Sequence, residues 1–140
     1  MTNGTRKWFA LAAAVLASAC HSYDGWLRLS LVQLIVDPQE YVGHDVSVSG
    51  YARMSRGRLF LFLTEEHARA DDIVSAVLLE KTQNGVRMED VTACHDSFVT
   101  VFGHFDELPT KMIGITAVER VIRYLPAGGI DRDCFPEKDQ

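Results

Sequence analysis

The segment Ser30–Arg53, SLVQLIVDPQEYVGHDVSVSGYAR, changes its hydrophobic period from helical to extended within one short stretch. Ser30 suits a helix N-cap, because its hydroxyl can accept a bond from an otherwise unpaired backbone N–H. Leu31, Leu34 and Ile35 follow at helical spacing and give that helix one apolar face. Pro38 disfavours helical geometry at Asp37, so the spacing predicts that the helix ends there. Tyr41 is then expected to fold back onto it, and Gly43 to permit a positive φ in the turn. Beyond the turn, Val46 and Val48 share one face of a strand, with Ser47 and Ser49 on the other. Gly50 inside that alternation predicts a bulge or a sharp bend.

Four further strands are predicted. Ser55-Arg56-Gly57 marks a hairpin turn, followed by Leu59–Leu63, an apolar run with no polar face. Such a run requires cover on both sides. Thr64–Asp72 reads as a polar loop or a single helical turn. The third strand is expected over Ile73–Leu79, and Asn84-Gly85 is a turn pair. A short helix is predicted within Val86–Ala93. Ser97–Asp106 and Met112–Tyr124 are the fourth and fifth strands, the latter interrupted at Gly114. Phe60, Phe62, Phe98, Phe102 and Phe105 all fall on strands, where core filling is the leading expectation.

The order helix, Pro-Gln-Glu-Tyr-Val-Gly, Val-x-Val-x-Gly resembles the opening of small OB-fold domains in bacterial envelope proteins, over residues 29–125. The resemblance implies a mainly β (α+β) fold: a five-stranded Greek-key barrel with a short N-terminal helix and a helix or loop between strands three and four. It implies no activity. Residues 126–140 are read as a loose C-terminal extension.

The chain opens with a leader. Arg6-Lys7 is a basic n-region, Trp8–Leu16 an apolar h-region and Ala17-Ser18-Ala19 a small-residue cleavage site, so residues 1–19 read as a signal peptide. The apolar run is too short to span a ~30 Å bilayer core, which takes ~20 residues. Leu16-Ala17-Ser18-Ala19-Cys20 resembles a bacterial lipobox, with Ala17 where leucine is commoner. That resemblance implies a lipid on Cys20, a tether over residues 20–28 and attachment to the envelope facing the periplasm. His21, not being Asp, is compatible with the outer membrane. Simple secretion is the alternative.

Across its 140 residues the chain carries a formal charge of −5. Loss of Arg6 and Lys7 with the leader leaves 12 basic against 19 acidic side chains, or −7. That sign opposes general nucleic-acid binding, which rests on neutralising phosphates. A local basic patch is still expected at Arg53, Arg56 and Arg58, which with His67 and Arg69 forms the candidate ligand-binding set. The loops over residues 53–58, 64–72 and 80–92 would carry recognition.

Cys94 and Cys134 form an even pair in an exported chain, so an oxidising compartment favours a disulfide between them. A metal site or redox pair remains the alternative, without C-x-x-C spacing to support it. The histidines at 21, 44, 67, 95 and 104 show no zinc spacing, although folding could bring His95 and His104 together beside Cys94. Adjacent acids such as Glu65-Glu66 and Asp71-Asp72 sit in polar loops. No catalytic residue, metal site or cofactor is predicted. The expected function is non-catalytic binding of a protein or other periplasmic ligand, inhibitor or immunity proteins being one form of it. The alternative is an oligonucleotide- or oligosaccharide-binding module, with a small enzyme a further one.

Overall fold

The computed structural model describes residues 25–125 and 128–134. The leader, Cys20 and most of its tether lie outside the described residues. The protein is mainly β, with seven strands in one mixed sheet and three short helices among the described residues. In chain order these are β1 (Leu27–Leu29), α1 (Leu31–Val36), α2 (Pro38–Tyr41), β2 (His44–Ser55), β3 (Arg58–Phe62), α3 (Glu65–Arg69), β4 (Ala76–Leu79), β5 (Ser97–Glu107), β6 (Ile113–Tyr124) and β7 (Ile130–Asp133).

Hydrogen-bonded pairing runs from β2 to β3, β4, β6 and β5, and β5 pairs back onto β2, so these five strands form a ring. Only the β4–β6 contact within it is parallel. β1 adds parallel to the start of β2, and β7 adds antiparallel to the end of β6.

Ser30 caps α1 as its sequence predicts, in a full capping box with Gln33. Asp37 closes that helix, yet Pro38 opens α2 rather than leaving a turn. The missing N–H of proline is harmless at the first position of a helix, where it would have no partner.

Every strand of the ring contributes inward side chains. Val46, Val48, Leu59, Leu61, Val77, Leu79, Val99, Val101, Phe105, Ile115, Val118 and Val121 form one core with Leu31 and Leu34 of α1. The apolar run in β3 is explained by its second face. Phe60 and Phe62 point away from that core and pack with Tyr51, Ala68, Leu78 and Leu108 in a smaller cluster beneath α3.

Several expectations need correction. Gly50 is not a bulge, for β2 pairs with β5 without interruption through Gly50↔Val99. It is glycine because β3 passes too close: a Cβ there would lie 2.7 Å from the Phe62 carbonyl oxygen. Gly114 does not break β6; it lets β6 approach β4, where a Cβ would sit 2.6 Å from the Leu78 oxygen. The third strand begins only at Ala76, since Ile73–Ser75 forms a 3-10 turn and Val74 is 84% exposed. The predicted helix within Val86–Ala93 is instead two 3-10 turns, Met88–Asp90 and Thr92–Cys94, the first burying Met88 completely. Residues 130–133, expected in a loose extension, are strand β7.

Candidate functional site

The arginines singled out in the sequence do not form an open basic patch. Each stands beside an acid. Arg53 pairs with Asp96 at 3.9 Å, Arg56 with Asp71 at 3.8 Å, Arg58 with Glu89 at 3.2 Å and Arg69 with Glu65 at 2.6 Å. Solvent-exposed pairs of this kind add ~0–1 kcal/mol each, but they cancel the local positive field. His67 serves α3 itself: its Nδ1 lies 2.8 Å from the Thr64 hydroxyl, which also caps the helix by accepting from the His67 backbone N–H.

Glu89 is the most structural of these acids. Its side chain is only 8% exposed, and one carboxylate oxygen bridges Arg58 and Arg87. Burial pushes its carboxyl upward. The backbone hydrogen bond and the two guanidinium groups together outweigh that and hold it below the usual carboxylate range. A depressed folded-state pKa contributes stability above the unfolded value of ~4.3, and that stability is lost as pH falls through the folded value. Glu89→Gln is therefore expected to destabilise the fold by about 1–3 kcal/mol at neutral pH, with the difference from wild type shrinking in urea titrations at progressively lower pH.

A cleft of about 780 Å³ is lined by Tyr51, Glu65, Asp96, Ser97, Phe98, Arg123, Tyr124 and Leu125. The outer face of the sheet builds it. Tyr51 on β2 lies opposite Phe98 on β5, and Tyr124 follows Arg123, the β6 partner of Val99. The Tyr51 and Phe98 rings meet edge to face, with centroids 5.1 Å apart. Phe98 is 45% exposed, which corrects its expected place in the core. Phe102 is likewise only half-buried, against Trp26 and under Arg120. The Tyr124 hydroxyl is fixed by Thr100 at 2.8 Å, and Thr100 by Ser49 at 2.7 Å.

The polar groups of the cleft differ in how far they are committed. Arg123 donates to the Ala93 carbonyl at 3.2 Å and Ser97 to the Cys94 carbonyl at 3.1 Å. Tyr51 is 8% exposed, yet its hydroxyl makes no hydrogen bond among the described residues. Burial first, and then the charges of Glu65 and Asp96, push its phenol above the ordinary tyrosine value; Arg53 and Arg69 oppose this more weakly.

No protein-family model and no curated protein matches the chain. Among solved structures, one assigned as an aspartyl-tRNA synthetase from Leishmania major Friedlin is similar to it at 14% identity and a TM-score of 0.41. That likeness covers 74% of this chain and 22% of the synthetase chain.

Of the sequence-derived candidates, Arg53 and Arg69 reach the cleft's acids, whereas Arg56 and Arg58 do not line it. Tyr51, Tyr124, Asp96 and Arg123 were not anticipated. The available signal was Phe98: it alternates out of phase with Val99 and Val101 on β5, so an outward position was readable. Cys94 and Cys134 are both buried, with no S–S bond formed between them. Among the described residues, no group of three or more His, Cys, Asp or Glu side chains is placed to hold a metal ion, and no helix is long and apolar enough to cross a membrane.

Proposed function

We propose that the chain is a non-catalytic lipoprotein of the cell envelope, anchored through Cys20, whose OB-type Greek-key barrel binds a protein or other periplasmic ligand in the cleft at Tyr51, Phe98 and Tyr124. The strand order supports the barrel assignment, because the parallel contact joins the third and fifth strands of the ring and the 3-10 turns lie between the third and fourth. The leader and lipobox residues support the anchor. The observation that carries the binding role is the cleft: exposed aromatic rings around Tyr51, whose hydroxyl makes no hydrogen bond among the described residues. Ligand sites combine apolar walls with a few convergent polar groups in this way. The acidic excess of the chain weighs against the oligonucleotide alternative.

A photo-crosslinking residue placed at Leu125, inside the cleft, is expected to yield a discrete adduct in intact cells. The same residue at Val74, exposed and outside it, is expected to yield none. Absence of an adduct from position 125 refutes the binding role. Separately, Cys20→Ala is expected to move the protein out of the membrane fraction; unchanged partitioning removes the anchor.

A further inference from the structure

We infer that the outer sheet face carrying Trp26, Arg28 and Phe102 docks on the phospholipid surface to which Cys20 anchors the chain. This rests on the proposed anchor, not on the ligand of the cleft, and assigns the surface that the anchor brings to the bilayer.

One row of side chains crosses four strands on that face. Arg28 of β1 lies opposite Ser47 of β2, Ser47 opposite Phe102 of β5, and Phe102 opposite Arg120 of β6. Register partners project from the same face of a sheet, so the four form a strip. Trp26, two residues before Arg28, packs edge to face on Phe102 with centroids 5.8 Å apart, and the Arg120 guanidinium stands 5.9 Å from the centre of the same ring. Both rings are half-buried, and Leu27 beside them, on the edge strand, is 41% exposed. Tryptophan and arginine around a small apolar patch suit a membrane–water interface, where the ring sits at headgroup level and the guanidinium stays wet.

Arg28 supplies the polar half of that contact. Arg120 is held by Asp133 at 2.9 Å, whereas Arg28 is exposed and makes no ion pair or hydrogen bond among the described residues. Its guanidinium can therefore donate to a lipid phosphate. Asp45, the acid in the next row, is engaged by His104 at 2.9 Å.

The length of the tether selects the bilayer as the occupant. With Cys20 acylated, residues 20–25 alone precede Trp26. At ~3.3–3.6 Å per residue they reach about 20 Å when fully extended. A domain of about 100 residues has a radius of gyration of ~13 Å and is roughly 30 Å across. The tether is thus too short to bring the far side of the domain round to the membrane, and the face at Trp26 is the one kept beside it. A short linker also holds that face at an effective concentration on the order of millimolar, so a small patch suffices. Phe98 lies four residues along β5 from Phe102, about 14 Å at the strand rise, which leaves the cleft outside the contact.

Trp8 departs with the leader, so Trp26 is the only tryptophan of the mature chain and its fluorescence reports the contact directly. The lipidated protein is reconstituted in phosphatidylcholine vesicles, floated with them, and compared in vesicles whose acyl chains are brominated near the headgroup. Trp26 is expected to lose about half or more of its emission in the brominated vesicles, as an interfacial tryptophan does. Arg28→Glu is expected to weaken that quenching, and Phe98→Ala, in the cleft, to leave it unchanged. Protein that floats with undiminished emission overturns the docking and leaves the anchor standing. Protein that does not float brings down the anchor, and the docking with it. A loss of quenching in Phe98→Ala as large as in Arg28→Glu overturns the placement of the contact. Emission that follows the density of protein in the vesicles, rather than bromination, marks a second copy as the occupant and overturns the inference equally.

Discussion

Replacing Phe62 by alanine is expected to lower the unfolding free energy by about 3–5 kcal/mol, the usual range for emptying a large aromatic site in a closed core. Phe62 is 0% exposed and sits in the smaller cluster, on the face of β3 that points away from the interior of the ring. Its neighbours there are few. Phe60, Tyr51, Leu78 and Leu108 surround it, with Ala68 of α3 as cover. A cluster of that size cannot collapse readily around a lost ring, so the void persists and its cost adds to the lost burial. A protein of this length has a total stability of ~5–15 kcal/mol, so the variant loses a large part of it. Phe62→Leu keeps most of the volume and is expected to lose less, which preserves a measurable transition if the alanine variant does not fold. The comparison that gives the result meaning is Phe98→Ala, expected to cost only about 1 kcal/mol for its edge contact with Tyr51. Urea midpoints at fixed pH measure all three. Equal losses at positions 62 and 98 would show that Phe98 belongs to the core, and the cleft would lose its wall.

That pair of residues also marks what the sequence could and could not reveal. The alternation in β2 and β5 was legible, because a half-buried strand repeats every two residues and the valines fall in phase. The N-terminal helix was legible from Ser30 and the spacing of Leu31 and Leu34, both of which are buried in the core. The run Leu59–Leu63 announced that both faces of β3 were covered, but not that the outer cover is α3. Local pattern carries no information about which strands become neighbours. For the same reason Tyr51, Phe98 and Tyr124 looked unrelated in sequence: they meet because β2, β5 and β6 are adjacent in the ring. The arginines illustrate the converse. Arg53, Arg56 and Arg58 are close in the chain and suggest a patch, yet their partners come from Asp96, Asp71 and Glu89, all distant in sequence. Strand β7 was missed because its four residues are mostly charged and gain their order from pairing with β6.

With the export proposed above, Cys94 and Cys134 are expected to be joined, and reduction of that bond to lower stability by about 3–4 kcal/mol in the chain-entropy account of a loop of about 40 residues. Both cysteines are buried in the main core. They link the 3-10 turn before β5 to the residue that follows β7, whose backbone N–H donates to the Val121 carbonyl at 3.0 Å. Bond formation requires two protons and two electrons to leave the pair, which an exchangeable disulfide of the oxidising compartment accepts. The kinetics follow from the environment. The neighbouring Cys134 side chain, followed by burial, pushes the Cys94 thiol far above its ordinary range, so the attacking thiolate is scarce in the folded protein. Oxidation therefore belongs to folding, before β7 pairs with β6, rather than to the finished structure. Refolding the reduced chain in a glutathione redox buffer is expected to give the bond quickly, whereas adding oxidant to the folded reduced protein gives it slowly. Iodoacetamide is expected to label Cys94 at the rate of global or β7 opening. The shift in melting temperature between the oxidised and reduced forms should exceed ~10 °C. Non-reducing mass spectrometry of protein taken from the envelope decides the first point: a mass two hydrogen atoms heavier than the disulfide form, with both thiols free to alkylate, rules the bond out.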